Sequence, residues 1–334
     1  MVSLAPLVLV LLTLAPDASP GAAASASTCR FSITPRTDKT PIGDIQLLSP
    51  TLVLGSNGEC LYVSENGGQA FQKVRCAPFA PQAEGHIRRF FFLARTVGWA
   101  ITEGALIHTR NGGVTWELRS SPEYLVRDVR FSGPLTGFWV GERVSGGVPD
   151  VIPVAFMTKD GGQTWSEVAL PSTGRDRARL EGVWMKSPSE VWVVGDLMLV
   201  SQNAGQTWRK MNLREDVVRD LRNTAIRFGH RGVGWILRVP SKNHLRICDG
   251  GKSWAVRPPP VPGFDSLLYT DCTHAYASAG GILFRSTNGG RSFRRVLEPE
   301  EGTQGYTALA YWEDKRLLMA ISENAVATCQ TGAP

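Results

Sequence analysis

The 334-residue chain lacks the common signatures of catalysis and metal binding. No C-x-x-C occurs among its six cysteines, which argues against a zinc ribbon or a thioredoxin-like redox pair. Neither a G-x-S-x-G nucleophile elbow nor a G-x-x-x-x-G-K-[ST] phosphate loop is present. The five histidines (His86, His108, His230, His244 and His274) are scattered without ligand spacing, so solvated or structural roles are expected. After residue 20 no stretch is apolar for long enough to cross a bilayer as a helix. Concentrated Lys/Arg runs are also missing, which argues against nucleic acid as a partner.

What remains is an ordinary globular composition, 43% apolar and 20% charged, long enough for two average domains or one large all-β domain. Residues 4–14, "LAPLVLVLLTL", are apolar but too short for a stable span, and small residues including Ala22, Ala24 and Ala26 follow. That is the plan of a secretory signal peptide, assigned to residues 1–26, although no Lys or Arg precedes Arg30. A secreted or periplasmic location follows, with no membrane span in the mature chain 29–334. An even cysteine count in an exported chain suggests disulfides. The formal charge of +6 favours acidic partners without identifying one.

Six octets repeat along the chain: "SENGGQAF" (64–71), "TRNGGVTW" (109–116), "TKDGGQTW" (158–165), "SQNAGQTW" (201–208), "ICDGGKSW" (247–254) and "STNGGRSF" (286–293). Their acidic or amide positions are Asn66, Asn111, Asp160, Asn203, Asp249 and Asn288. Their aromatics are Phe71, Trp116, Trp165, Trp208, Trp254 and Phe293, separated by 45, 49, 43, 46 and 39 residues. A period of that size signals a propeller or another repeat architecture. A short apolar strand and a "GWA"-like strand precede most octets, and a mixed strand follows. Each period therefore reads as a four-stranded antiparallel blade. Asp or Asn bonds amides within its own turn, glycine supplies positive φ, and the aromatic opens the next strand and packs between sheets. A calcium loop needs more carboxylates than these octets carry, so metal binding is not expected at them.

The octet resembles the Asp-box, or BNR repeat, of sialidases, sortilin-type receptors and photosystem II assembly-factor-like propellers. The "GWA" strand with a box in nearly every blade is most similar to the photosystem II group. Departures are Ala70, Ala204, Ile247, Phe71 and Phe293. The resemblance implies that the box is a structural turn between the third and fourth strands. Repeat similarity informs fold more than function.

Blades are placed at about 44–75, 87–119, 126–169, 180–212, 221–257 and 264–297. Residues 305–329 supply three strands without a box, and "CRFSITP" (29–35) is a spare strand. Together they would close an all-β, seven-bladed ring, leaving no open seam. Cys29 and Cys329 would then lie on adjacent strands. Cys60 and Cys76 flank the first box and would face each other. Cys248 and Cys272 pair by elimination across neighbouring turns.

A sialidase would need three arginines for the substrate carboxylate, a Tyr–Glu couple and an acidic donor, as well as a Phe/Tyr-Arg-Ile-Pro motif. "SITPRTD" stands in its place. A secreted sialidase-like glycoside hydrolase is therefore the alternative, and a non-catalytic binding or assembly scaffold without cofactor or metal is the main expectation. Function is sought on loops opposite the boxes. Candidate binding residues are Arg88, Arg89, Arg127, Arg175, Arg177, Arg179 and Arg219, a basic surface for an acidic segment or C-terminus of an envelope or membrane protein. Asp176, Glu181, Glu215, Asp216 and Asp220 are expected to neutralise part of that charge. "GERVSGGVPDVI" (141–152) is read as a long loop and "RPPPVPGF" (257–264) as a Pro-rich one, and the protein as a monomer.

Overall fold

The computed structural model describes residues 29–81, 83, 85–145, 148–171, 178–211, 225–228, 233–237, 243–250, 254–299 and 305–331. Residues 1–28, where the signal peptide is expected, lie outside the described residues. The described residues form no helix, and their strands make seven four-stranded antiparallel sheets.

Strand β1 (Ser32–Pro35) precedes the first blade. Blade 1 holds β2 (Asp44–Leu47), β3 (Val53–Ser56), β4 (Cys60–Ser64) and β5 (Gln72–Cys76). Blade 2 holds β6 (Ile87–Phe92), β7 (Gly98–Thr102), β8 (Ala105–Thr109) and β9 (Glu117–Leu118). Blade 3 holds β10 (Tyr124–Phe131), β11 (Gly137–Ser145), β12 (Val148–Thr158) and β13 (Ser166–Glu167). Blade 4 holds β14 (Leu180–Met185), β15 (Val191–Gly195), β16 (Met198–Ser201) and β17 (Arg209–Lys210). Blade 5 holds β18 (Ala225–Phe228), β19 (Gly234–Leu237), β20 (His244–Ile247) and β21 (Trp254–Arg257). Blade 6 holds β22 (Phe264–Tyr269), β23 (Ala275–Ala279), β24 (Ile282–Ser286) and β25 (Arg294–Leu297). Blade 7 holds β26 (Ala308–Trp312), β27 (Leu317–Ile321) and β28 (Ala325–Gln330), with β1 as its fourth strand.

Each blade packs between two others, so its second strand is apolar on both faces rather than alternating. Trp99 on β7, Trp139 on β11 and Trp192 on β15 are almost fully buried. Each indole removes roughly 200 Å² from water, worth about 5 kcal/mol before entropy. The box aromatics complete these interfaces. Trp116 meets Phe92 edge-on at 6.0 Å, Trp165 meets Phe131 at 5.9 Å, and Trp208 meets Phe138 at 6.0 Å.

The ring closes where β1 pairs with β28, from Ser32↔Thr328 to Pro35↔Ala325. The Cys29–Cys329 disulfide spans the same seam. Beyond β1, the buried Arg36 guanidinium donates to the Ser322 carbonyl at 2.7 Å and pairs with Asp38 at 2.8 Å. Asp38 accepts from the Phe71 backbone at 3.0 Å, tying the seam to the first box. Cys60–Cys76 joins β4 to β5, and Cys248–Cys272 joins the fifth box to a turn of blade 6.

One expected loop is a hairpin. Residues 141–152 belong mostly to β11 and β12, which pair as far as Arg143↔Ile152 and Ser145↔Val148. The glycines and Pro149 within the segment suggested a loop. The Val168 backbone donates to Ala155 on the outer side of β12. By the period-two alternation Pro153 also faces outward there, so it removes no bond from the β11–β12 ladder. The segment 257–264, by contrast, runs from the last residue of β21 to the first of β22, with 258–263 as the link.

The up-and-down order fixes two faces. Turns after first and third strands, including every box, share one face. Turns after second strands and the links between blades share the other.

Candidate functional site

The box turns are chemically closed. In the third, the Thr158 hydroxyl donates to Asp160 at 2.7 Å, and the Gly162 N–H donates to Thr158 Oγ1 at 2.9 Å. The Thr164 N–H and hydroxyl both donate to Asp160. Bonds from Thr164, then Thr158, hold the Asp160 carboxyl well below the usual carboxylate range. The same pattern recurs at Asn66, Asn111, Asn203 and Asn288, with the residue four places on donating at 2.8–3.0 Å. These internal donors consume the acceptor capacity that a metal would need. Gly113 shows why the second box glycine resists substitution. Its φ is +94°, and a Cβ there would collide with Leu61 of the preceding blade.

The opposite face is irregular, and its irregularity has a pattern. The first strands of blades 2, 3, 4 and 6 each carry a register shift, between Ile87/Arg89, Val126/Asp128, Leu180/Gly182 and Phe264/Ser266. The residues left out of the ladder are Arg88, Arg127, Glu181 and Asp265. All four are charged. A bulge inserts one residue and re-aims its side chain, so four charges are set around the mouth of the central channel. In blades 3 and 4 a glycine on the second strand permits this. A Cβ on Gly141 would overlap the Leu125 carbonyl, and one on Gly195 the Arg179 carbonyl.

Two buried carboxylates organise the arginines. Glu142 accepts from Arg127 through Nε at 3.3 Å and Nη2 at 3.2 Å, and Arg179 approaches the same carboxylate at 4.0 Å. Asp128, fully inaccessible, pairs with Arg130 at 2.9 Å and faces Arg89 at 3.7 Å. It also accepts the Val183 N–H at 3.1 Å, linking blade 3 to blade 4. Burial lowers the Arg130 pKa, and Asp128 opposes that shift.

Glu181 is different. It is 6% exposed, yet no hydrogen bond or ion pair reaches its carboxylate among the described residues. Burial raises its pKa, Arg127 opposes that, and Glu142 adds to the rise. The side chains of Arg127 and Arg179 remain 28% and 40% exposed. Arg179 makes no side-chain hydrogen bond among the described residues.

The structure thus brings Arg89, Arg127 and Arg179 together and leaves Arg88 at the rim, paired with Glu103 at 2.8 Å. Arg175, Arg177 and Arg219 lie outside the described residues, as do Asp176, Glu215, Asp216 and Asp220. Glu103, Asp128 and Glu142 pair with the described arginines, whereas Glu181, expected to neutralise part of their charge, forms no ion pair among the described residues. Glu142 and Asp128 were missed because they sit inside strands that read as apolar. The signal that could have found them is a charge beside glycine in "FWVGE" and within "VRDVRF".

Among the described residues, Tyr124 and Glu142 do not form a sialidase-like couple beside these arginines. Tyr124 pairs with Arg143 and Leu125 with Glu142, so the tyrosine and Glu142 project to opposite faces of the sheet. Tyr124 instead packs 5.1 Å from Phe156 and 5.7 Å from Trp139, with Arg143 over its ring. Two histidines are core groups. Desolvation lowers His108 and His244 to about 4, and His244 shares a 2.6 Å hydrogen bond with Tyr269.

Residues 121–223 match the family model described as photosynthesis system II assembly factor YCF48. That segment carries blades 3 and 4 and most of the charged mouth. No curated protein matches the chain. Among solved structures, YCF48 bound to D1 peptide is 15% identical with a TM-score of 0.58, covering 91% of this chain and 97% of that one. YCF48 from Cyanidioschyzon merolae is 15% identical with a TM-score of 0.57, covering 90% and 98%. The GH74 xyloglucanase from Xanthomonas campestris is 12% identical with a TM-score of 0.58, covering 91% of this chain and 55% of that one. At these identities the likeness is one of fold. In fold and repeat the chain is similar to a YCF48-type BNR propeller.

Proposed function

We propose that the chain is an exported, non-catalytic assembly scaffold that docks a carboxylate-bearing segment of a partner protein. Residues 1–26 serve as its signal peptide and 29–334 as one propeller domain. The observation that carries the reading is the mouth itself. Arg127 already grips a carboxylate, Glu142, in two-pronged fashion, while the Arg179 guanidinium beside it makes no hydrogen bond among the described residues and stays open to water. A guanidinium fork matches a carboxylate geometrically, and a rigid ring holds both forks in place. YCF48 bound to D1 peptide offers a precedent for a protein segment on such a propeller. Three disulfides accord with an oxidising compartment. The docking residues are Arg89, Arg127 and Arg179, with Arg88 at the rim.

The test is direct binding of a short fluorescent peptide that bears two aspartates and a free C-terminal carboxylate. An amidated, aspartate-free peptide is the control. The acidic peptide is expected to bind and the control is not. Equal binding of both, or of neither, overturns the docking site. Hydrolysis of a sialoside reporter by the purified protein would overturn the non-catalytic reading.

A further inference from the structure

Docking at this mouth raises a problem of charge. Arg127 and Arg179 already share Glu142, and Glu181 stands among them. A partner carboxylate arriving there adds a further negative charge to a partly desolvated cluster, and like charges at such a site favour protonation of one member. The geometry says which member. Glu142 would lose two bonds from Arg127. Asp128 would lose Arg130 and the Val183 N–H. Glu181 has no bond to lose.

Resting on the docking reading above, we propose that Glu181 takes one proton from solvent as an anionic partner binds, and then donates that proton in a hydrogen bond to the partner's carboxylate. Four charged groups act on Glu181: Arg127 of β10, Glu142 of β11, Arg89 of β6 and Arg179 just before β14. Asp128 adds a further negative charge nearby, bonded to Val183 two residues along. Burial of Glu181 already favours its neutral form, which lowers the cost of uptake. The bulge between Leu180 and Gly182 is what aims this side chain at the mouth. Glu181 therefore sets specificity. It rewards a ligand atom that accepts a hydrogen bond, and it makes docking tighter in mildly acidic surroundings.

The experiment is calorimetric titration of the full mature protein with the same acidic peptide at pH 5.5 and 7.5, in two buffers of different ionisation enthalpy. Exposed His86, on the same face before β6, is replaced as His86→Gln in every arm so that its imidazole contributes nothing. Expected at pH 7.5 is uptake of a measurable fraction of one proton per peptide, with binding several-fold tighter at pH 5.5. Glu181→Gln should bind equally at both pH values and take up no proton, whereas Glu181→Asp should retain the uptake. Binding with no proton uptake and no pH dependence overturns the role of Glu181 and leaves the docking site standing. Absence of binding at both pH values overturns the docking site and this inference together. If Glu181→Gln does not fold, the uptake measured on the parent decides.

Discussion

The two faces of the ring are built on opposite principles. On the box face the same turn recurs, and in five of the six copies the Asp or Asn side chain is bonded within its own turn, as Asp160 is with Thr158 and Thr164. On the mouth face the blades differ, and the bulged position carries Arg88, Arg127, Glu181 or Asp265 in turn. Uniform, self-satisfied turns are what blade packing requires. A position that keeps its backbone irregularity while its charge changes serves something other than packing. Repetition here marks the scaffold, and variation at a repeated bulge marks the surface that meets a partner.

Separating the faces by mutation tests that contrast. The largest effect belongs to the box face. Gly113→Val adds left-handed strain and a clash with Leu61, and should lower stability by about 4 kcal/mol. Urea unfolding measures this, and peptide affinity of the folded fraction should not change. Loss of binding without loss of stability would break the contrast.

Acid tests the core beneath the boxes. The folded-state pKa of His108 and of His244 is lowered to about 4. The unfolded chain therefore binds these protons first. Their stabilising contribution is complete above pH 6.5 and is lost as the pH falls toward 4, by roughly 3 kcal/mol each. Unfolding midpoints measured from pH 7 to 4 should fall accordingly, with His244→Gln removing about half of the slope. A flat profile in that window would refute the assignment.

At the mouth the balance reverses. Arg88→Gln with Arg179→Gln should weaken the acidic peptide at least about tenfold, near 1.4 kcal/mol. Stability should move by less than about 0.5 kcal/mol, because both side chains are substantially exposed. Fluorescence anisotropy reads the first effect and thermal melting the second. The smallest expected change is a gain. Ala204 occupies a box-glycine position at φ 57°, so Ala204→Gly should stabilise by about 1 kcal/mol. A measured loss would show that the fourth box tolerates its alanine for a packing reason.

The scaffold was legible because each box advertises itself locally. Its Asx and Ser/Thr bonds span four residues, its glycines meet a backbone demand, and six copies share one register. The hairpin over 141–152 was not legible, because glycine and proline composition conceals which side of a strand a residue faces. Pro153 is harmless only because it points away from β11. The candidate arginines could be named from composition, but their partners could not. Glu142 is 15 residues from Arg127 in the chain and 37 from Arg179, and Asp128 reaches Val183 across a blade interface.

The amino-acid sequence by itself determined the blade, the number of repeats and the strand that closes the ring, because those depend on short-range turn chemistry and on an apolar period that repeats. The tertiary structure alone decided which charges meet. Bulges, close glycine contacts and the packing of blade 3 on blade 4 bring together Arg127, Arg179, Glu142 and Glu181, and their mutual electrostatics depends on distances and burial that no local pattern encodes.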